Sequence, residues 1–423
     1  MEKHRYLERV IPPEQALQRL KELVRPVTES LETPTWKAAG YVLAEDVKAW
    51  MDFPPRPRSA YDGYAVASES TPGKFRVIGE AAIGKVSPGF SIGRGEAAYV
   101  STGAYLPEGA DTVIPEEAVK REGEYIIVDK KFTRWKNVDP PGSYVRKGEI
   151  ILPKGSVITI PDVVGLLNIG ITKVRVRRKL RVGIIATGGE LFEPSDPEET
   201  LEKISKGLVA DTTTILIEWA IKEITPWAEP YGKELMPDEI ESLAWKIERM
   251  LDHVDVVLVT GGTGPSEVDN FYRLCNKLEE KGAILVFRGL RMRGGRPTSA
   301  MVLRGKPIIG LSGHPISALH GFIRIVEPLL RYMAGVNRAP ASRLVPVRIA
   351  EEYSTQFPRL LRARLEYGDD GIIQARILPP EKQLSSNIVS HAEADAYLIV
   401  DAKSYKPGDI ARAVIYREPT RAG

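Results

Sequence analysis

Between about residue 179 and residue 335 the chain repeats one design three times: an apolar run, a glycine-containing loop, then a helical pattern. The segments are IIATGGEL at 184–191, VLVTGGTGPSEVDNF at 257–271 and IIGLSGHPISAL at 308–319. Short apolar runs alternating with helix-period segments constrain a chain to a parallel sheet covered by helices on both faces. The sequence between them agrees. LRVGIIA, VDVVLV and KPIIGL read as buried strands, and Ile215 to Ile224 reads as helix. DEIESLAWKIERML sets Ile240, Leu243, Ala244, Ile247 and Leu251 on one helical face.

In such a sheet the loops gather beyond the C-terminal ends of the strands, where ligands bind. Glycines let backbone N–H groups approach a phosphate, and helix N-termini add partial positive charge. Thr187 and Gly188, then Gly261, Gly262, Thr263 and Ser266, then Ser312 and Gly313 are the candidate ligand contacts. Glycine-rich turns occur in every α/β domain, but three in one domain, each with a hydroxyl, favour an anionic ligand. Between the second and third loops, FRGLRMRGGRP carries Arg288, Arg291, Arg293 and Arg296. A charge run is usually a solvated face. Here glycines and a proline put the arginines on a turn beside the loops, where guanidinium forks suit phosphate oxygens.

Carboxylates stand nearby in sequence: Glu190 in the first loop, Glu267 and Asp269 in the second, and Asp62 far upstream in SAYDGYAV. Asp238 precedes a helix, a place the helix dipole also favours for structural reasons alone. Carboxylates near phosphates imply a bridging divalent cation, commonly Mg²⁺. Residue chemistry therefore predicts a phosphorylated small molecule handled with Mg²⁺, and does not name the molecule.

Outside the α/β region, PPEQALQRLKELV reads as a helix with Leu17, Leu20, Leu23 and Val24 at helical spacing. DFPPRPRS breaks the chain, and short β-type runs from about residue 74 to residue 128 read as a small β domain. Beyond about residue 338 β-type runs return. The 423 residues suit roughly three or four domains. A net charge of +3 demands no nucleic acid. The lone Cys275 reads as a packed small side chain and rules out an intramolecular disulfide. No apolar run approaches the roughly 18 residues of a membrane span, and the charged start, MEKHRYLERV, is not of signal type. A cytoplasmic protein without membrane or nucleic-acid partners is expected.

SAYDGYAV, STGAYLPEGADTVIPEE, TGGTGPSEVDNF and GLSGHPISAL follow one another in order, with AAGYVLAEDVKAW ahead of them. Together they resemble the molybdopterin molybdenumtransferase family, the MoeA proteins and the gephyrin E domain, over nearly the whole chain. The resemblance implies a multidomain α/β plus β fold. An elongated discontinuous domain would comprise 1–50 and 144–178, a small β domain 51–143, and a central doubly wound, MogA-like α/β domain 179–335. A C-terminal β-barrel-like domain would comprise 336–423. It also implies a homodimer whose site lies between the α/β domain of one subunit and SAYDGYAV of the other. The implied reaction inserts molybdate, or tungstate, into adenylylated molybdopterin with Mg²⁺ assistance and release of AMP. The pathway's adenylyltransferase and acceptor molybdenum or tungsten enzymes are further implied partners.

Carried over by motif, Asp62, Glu190, Asp238 and Asp269 are the implied catalytic and metal-binding acids. Thr102 matches the threonine of the "mTGA" motif. Arg293 and Arg296 stand where the family usually has the lysines of "KPGKP", and Pro315 and Ser317 fall in its "PGNPvSa" loop. Arg362 and Ser390 align with its "flRv" and "LSS" motifs. The sequence also departs from the pattern. Gly189 replaces the acid of "GDEL", Ser312 and His314 alter "LPGNP", and Tyr144 is read at the aspartate of "GeDi". GGTGP is nearer the sister adenylyltransferase family. A non-catalytic molybdopterin carrier or scaffold, or a molybdopterin adenylyltransferase, are the alternatives these departures leave open. His314 could serve as a proton donor, or merely hydrogen-bond the backbone.

Overall fold

The computed structural model describes residues 10–84, 89–262, 270–339, 344–384, 387 and 389–421. The chain forms two compact units: Met1–Ala44, Gly155–Val164 and Thr172–Gly423 make one, and Glu45–Lys154 with Gly165–Ile171 the other. The segments expected to build the elongated domain contribute to both. Ser30–Pro34 pairs with Lys173–Arg177, which pairs with Val42–Leu43, in the first unit. Val47–Lys48 pairs with Ile150–Leu152 in the second.

The second unit is built on a six-stranded sheet in the order Thr112–Pro115, Gly63–Val66, Glu96–Val100, Gly73–Ala81, Tyr125–Val128, Lys120–Glu122. Its two-residue periodicity fills two cores. Ala65, Ala98, Val100 and Val113 pack on one face, and Tyr64, Val66, Phe75 and Ile114 on the other. Gly63–Val66, the strand after Asp62, is buried on both sides.

In the first unit the α/β region runs β1 (Leu180–Thr187), α1 (Thr213–Ile224), β2 (Ala228–Met236), α2 (Ile240–Leu251), β3 (Val256–Thr260) and α3 (Asn270–Glu279). It continues with β4 (Ile284–Arg288), β5 (Ser299–Leu303), β6 (Lys306–Leu311) and α4 (Pro315–Gly321). The strand order is β2-β1-β3-β6-β5-β4. β1, β2, β3 and β6 are parallel, as the sequence alternation predicts. β5 is the exception: it pairs antiparallel with both β4 and β6, so the sheet is mixed, with β4 running in the sense of the parallel strands. The reason is that β5 and β6 are joined by a tight turn at Arg304 and Gly305, with no crossover helix to reverse direction.

Side chains alternate across these strands. Val182, Ile184 and Leu258 pack against Ile217, Ala220 and Ile221 of α1, in a core that also takes Ala16 and Leu20 of the helix Pro13–Leu23. Of the other apolar positions in that N-terminal helix, Leu17 is partly buried and Leu23 is exposed. Ile185, Val257 and Val259 pack against Leu243 and Ile247 of α2 and Leu274 and Cys275 of α3. Gly310 on β6 is required by this packing, because a Cβ there would sit 2.6 Å from the Phe271 ring.

The C-terminal strands close into a barrel. Ile373–Ile377, Leu344–Ile349, Ile410–Ile415, Ala396–Val400 and Arg359–Tyr367 pair in succession, and Arg359–Tyr367 pairs back to Ile373–Ile377. Among the described residues no helix is long and apolar enough to cross a membrane.

Candidate functional site

Four parallel strands end side by side, and the loops beyond them enclose a cavity of about 800 Å³. Its walls include Thr187, Gly188 and Glu190 after β1, Asp238 after β2, Thr260, Gly261 and Gly262 after β3, and Ser312, Gly313, His314 and Pro315 after β6. The first two glycine loops touch. Gly261 has φ +94°, and a Cβ on it would fall 2.2 Å from the Thr187 carbonyl oxygen, so only glycine closes the wall there. The third loop is pinned from α1, where the Thr213 hydroxyl donates to the Gly313 carbonyl at 2.6 Å.

Asp238 does not cap the helix that follows it. Glu239 holds the N-cap position of α2, and the exposed Asp238 carboxylate instead accepts a hydrogen bond from the buried Thr187 hydroxyl. The side chain is thereby held at the wall of the cavity that Glu190 also lines. Asp211, a lining residue that sequence reasoning missed, accepts from the Thr214 N–H at 3.1 Å and the Thr214 hydroxyl at 2.5 Å. The signal was available: an acid three residues before Thr214 at a helix start is a capping pattern. Leu191, Ile204, Leu208 and Val209 give the cavity an apolar wall that no motif announced.

The described lining holds three carboxylates, Glu190, Asp211 and Asp238, and one histidine, with no lysine or arginine. Glu190 and Asp238 in this lining match how Mg²⁺ is held: one or two acids, retained water and substrate phosphate oxygens. Among the described residues no group of three or more His, Cys, Asp or Glu side chains is arranged as a metal site. The donor set thus fits a cation shared with a phosphorylated ligand better than one held by protein alone. Thr263, Ser266 and Asp269 lie outside the described residues.

The arginine turn goes elsewhere. Arg293 N–H donates to the Pro358 carbonyl at 2.9 Å, bridging to the C-terminal barrel. There Arg293, Ser317, Glu351, Glu352, Tyr353 and Arg359 line a second cavity of about 680 Å³. Arg359 donates to the Tyr353 hydroxyl at 2.8 Å. His320, fully buried against this cavity, has its pKa pulled down to about 3, first by burial and then by Arg324. Its Nδ1 lies 2.7 Å from the Gly294 carbonyl oxygen. Arg296 is exposed on the turn and lines neither cavity. Helix α4 separates the two spaces, with Pro315 facing the first and Ser317 the second.

Asp62 and Thr102 belong to the second unit, where the Thr102 N–H donates to the exposed Asp62 carboxylate at 2.7 Å. In the same unit, the Tyr144 hydroxyl accepts from Arg58 at 2.7 Å and donates to Asp139, and that bond, followed by burial, raises its pKa. Arg362 is fully buried and committed within the barrel. It donates to the Lys382 carbonyl at 2.6 Å and lies 3.2 Å from His391 Nε2. Ser390 Oγ donates to the Asn387 carbonyl at 2.6 Å.

The chain matches two family models in tandem. Residues 11–170 match the MoeA N-terminal region (domain I and II), and residues 183–332 match a probable molybdopterin binding domain. An α/β molybdopterin-binding domain on a MoeA-type N-terminal region defines the class: a protein of molybdenum cofactor biosynthesis. The chain is 28% identical over 390 residues to the molybdopterin molybdenumtransferase of Staphylococcus epidermidis, covering 90% of this chain and 89% of that protein. The Staphylococcus aureus molybdopterin molybdenumtransferase is 27% identical over 417 residues, with 94% of each covered. The crystal structure of the molybdopterin biosynthesis MoeA protein from Pyrococcus horikoshii OT3 superposes with a TM-score of 0.78 at 29% identity, over 96% of this chain and 100% of that one. This chain belongs to the molybdopterin molybdenumtransferase, or MoeA, family.

Proposed function

We propose that this chain inserts molybdate or tungstate into adenylylated molybdopterin, releasing AMP, and that it does so with Mg²⁺ as a cytoplasmic homodimer. The observation that carries this reading is the cavity at the ends of the parallel strands. Glycine backbone lets the phosphates approach closely there, and the Thr187 hydroxyl holds Asp238 at the wall that Glu190 also lines. Glu190 and Asp238 are the residues that would hold Mg²⁺, which would supply positive charge to the pyrophosphate group. The apolar wall of Leu191, Leu208 and Val209 gives a flat ring system a surface to lie on. Arg293 lines the second cavity, on the other side of α4, and takes no part in this reading. Asp62, fixed by the Thr102 N–H, is the acid supplied from the partner subunit.

Gly189 removes one acid, yet Glu190, Asp211 and Asp238 keep the cavity acidic, which favours turnover over a purely carrier role. The test is direct. Purified protein is given adenylylated molybdopterin, Mg²⁺ and each oxyanion in turn, and AMP is followed over time. Oxyanion-dependent AMP release supports the reading. Its absence with both oxyanions, alongside intact binding of molybdopterin, would leave a carrier. Product formed from molybdopterin and ATP alone would make the chain an adenylyltransferase instead.

A further inference from the structure

We propose that His314 is a proton-linked contact for the ligand's phosphate groups, so that anion affinity in the first cavity follows the protonation of one imidazole. The inference rests on the phosphorylated-ligand reading above. Phosphates need positive charge or N–H donors, and the described lining of this cavity offers no lysine or arginine. His314 is the one lining side chain among the described residues that can carry positive charge. The charged groups sharing the cavity with it are Glu190 from the β1 loop, Asp211 before α1 and Asp238 before α2.

Two further observations single out this ring. The backbone beneath it is fixed: the His314 N–H donates to Ser312 Oγ at 3.2 Å, and the adjacent Gly313 carbonyl accepts from Thr213. The ring itself is exposed and makes no hydrogen bond or ion pair among the described residues. Two other histidines of this unit differ. His320 is engaged by the Gly294 carbonyl, and His391 by Arg362 and the Tyr397 hydroxyl. His314 is thus presented to the cavity with both ring nitrogens available.

An imidazole gains its charge between about pH 8 and pH 5. A bound pyrophosphate stabilises the protonated ring, so binding takes up a proton and affinity falls as pH rises.

The experiment titrates diadenosine pyrophosphate, a diester whose own charge is constant across the range, into the full-length protein by calorimetry. Titrations run from about pH 5.5 to about pH 8.5 at fixed Mg²⁺, in buffers of differing ionisation heat. The expected result is an affinity about tenfold higher at the acid end, with proton uptake, the size of one charge-assisted hydrogen bond. His314→Asn should bind with a flat profile at the wild-type alkaline affinity. Binding with no proton uptake in the wild-type protein, or with the same pH profile in both proteins, overturns the role of His314 while leaving the phosphate reading intact. No binding at any pH removes that reading and the inference with it. The proton-uptake measurement needs only the wild-type protein, so a variant that fails to fold does not rescue the idea.

Discussion

Asp62 and Asp238 are both exposed carboxylates tied to a threonine, but the ties are of different kinds. Asp62 accepts from the backbone N–H of Thr102, whereas Asp238 accepts from the hydroxyl of Thr187. A backbone donor survives any substitution of its residue that leaves the turn in place, and a side-chain donor does not. The two acids are therefore held by fold and by sequence respectively, and only the second hold can be removed by a point change.

The largest expected effect comes from removing the first acid itself. Asp62→Asn should cut AMP release about a hundredfold or more and shift stability by less than about 1 kcal/mol. Full activity in that variant would end its assignment. A third carboxylate sharpens the contrast, because Asp255 serves structure alone. It is nearly buried, pairs with Arg178 through two bonds of 2.6 and 2.8 Å, and accepts from the Arg181 N–H. Asp255→Ala leaves Arg178 with Glu29 as its remaining acidic partner and takes the acceptor from the Arg181 N–H, and should cost about 2 kcal/mol in denaturant unfolding. A cost below about 1 kcal/mol would mean water replaces the pair.

Acid blurs the comparison in a defined window. His320 is neutral in the fold, with its pKa near 3 against an ordinary 6.5, so between those values the unfolded chain binds a proton the folded chain refuses. Stability should fall as pH drops from 6.5 toward 3, by at most about 1.4 kcal/mol per pH unit from this group, and should not change through it above that window. His320→Gln should flatten the slope measured by urea unfolding. An unchanged slope would assign acid sensitivity to other groups. The smallest effects test the ties themselves. Thr187→Val should lower AMP release about tenfold, the worth of one hydrogen bond to a charged group. Thr102→Val should leave it within about twofold, since its N–H remains. Equal losses in both would break the distinction between the two holds.

Much of the α/β layer was legible because strand and helix periods differ: Val182 and Ile184 face one core and Ile185 the other. The reversed β5 was not legible, since an apolar run looks alike in either direction. Arg293 was placed beside the glycine loops by its neighbours in sequence. Its actual partner, Pro358, is a tertiary contact that no local pattern encodes. The tie between Thr187 and Asp238 spans 51 residues and was invisible for the same reason, although both residues were singled out. Arg362 shows the opposite limit: its position in a motif was readable, but its burial among barrel carbonyls was not.

The closure of the C-terminal strands carries a consequence for how this region meets other molecules. An open sheet ends in a row of unsatisfied backbone groups that another chain can extend. Here Arg359–Tyr367 bonds back to Ile373–Ile377, which bonds onward to Leu344–Ile349, so the ring spends those groups on itself. Strand-by-strand accretion, the route to intermolecular β-stacking, is thereby blocked along the ring. Whatever docks on this region must read its loops and side chains instead.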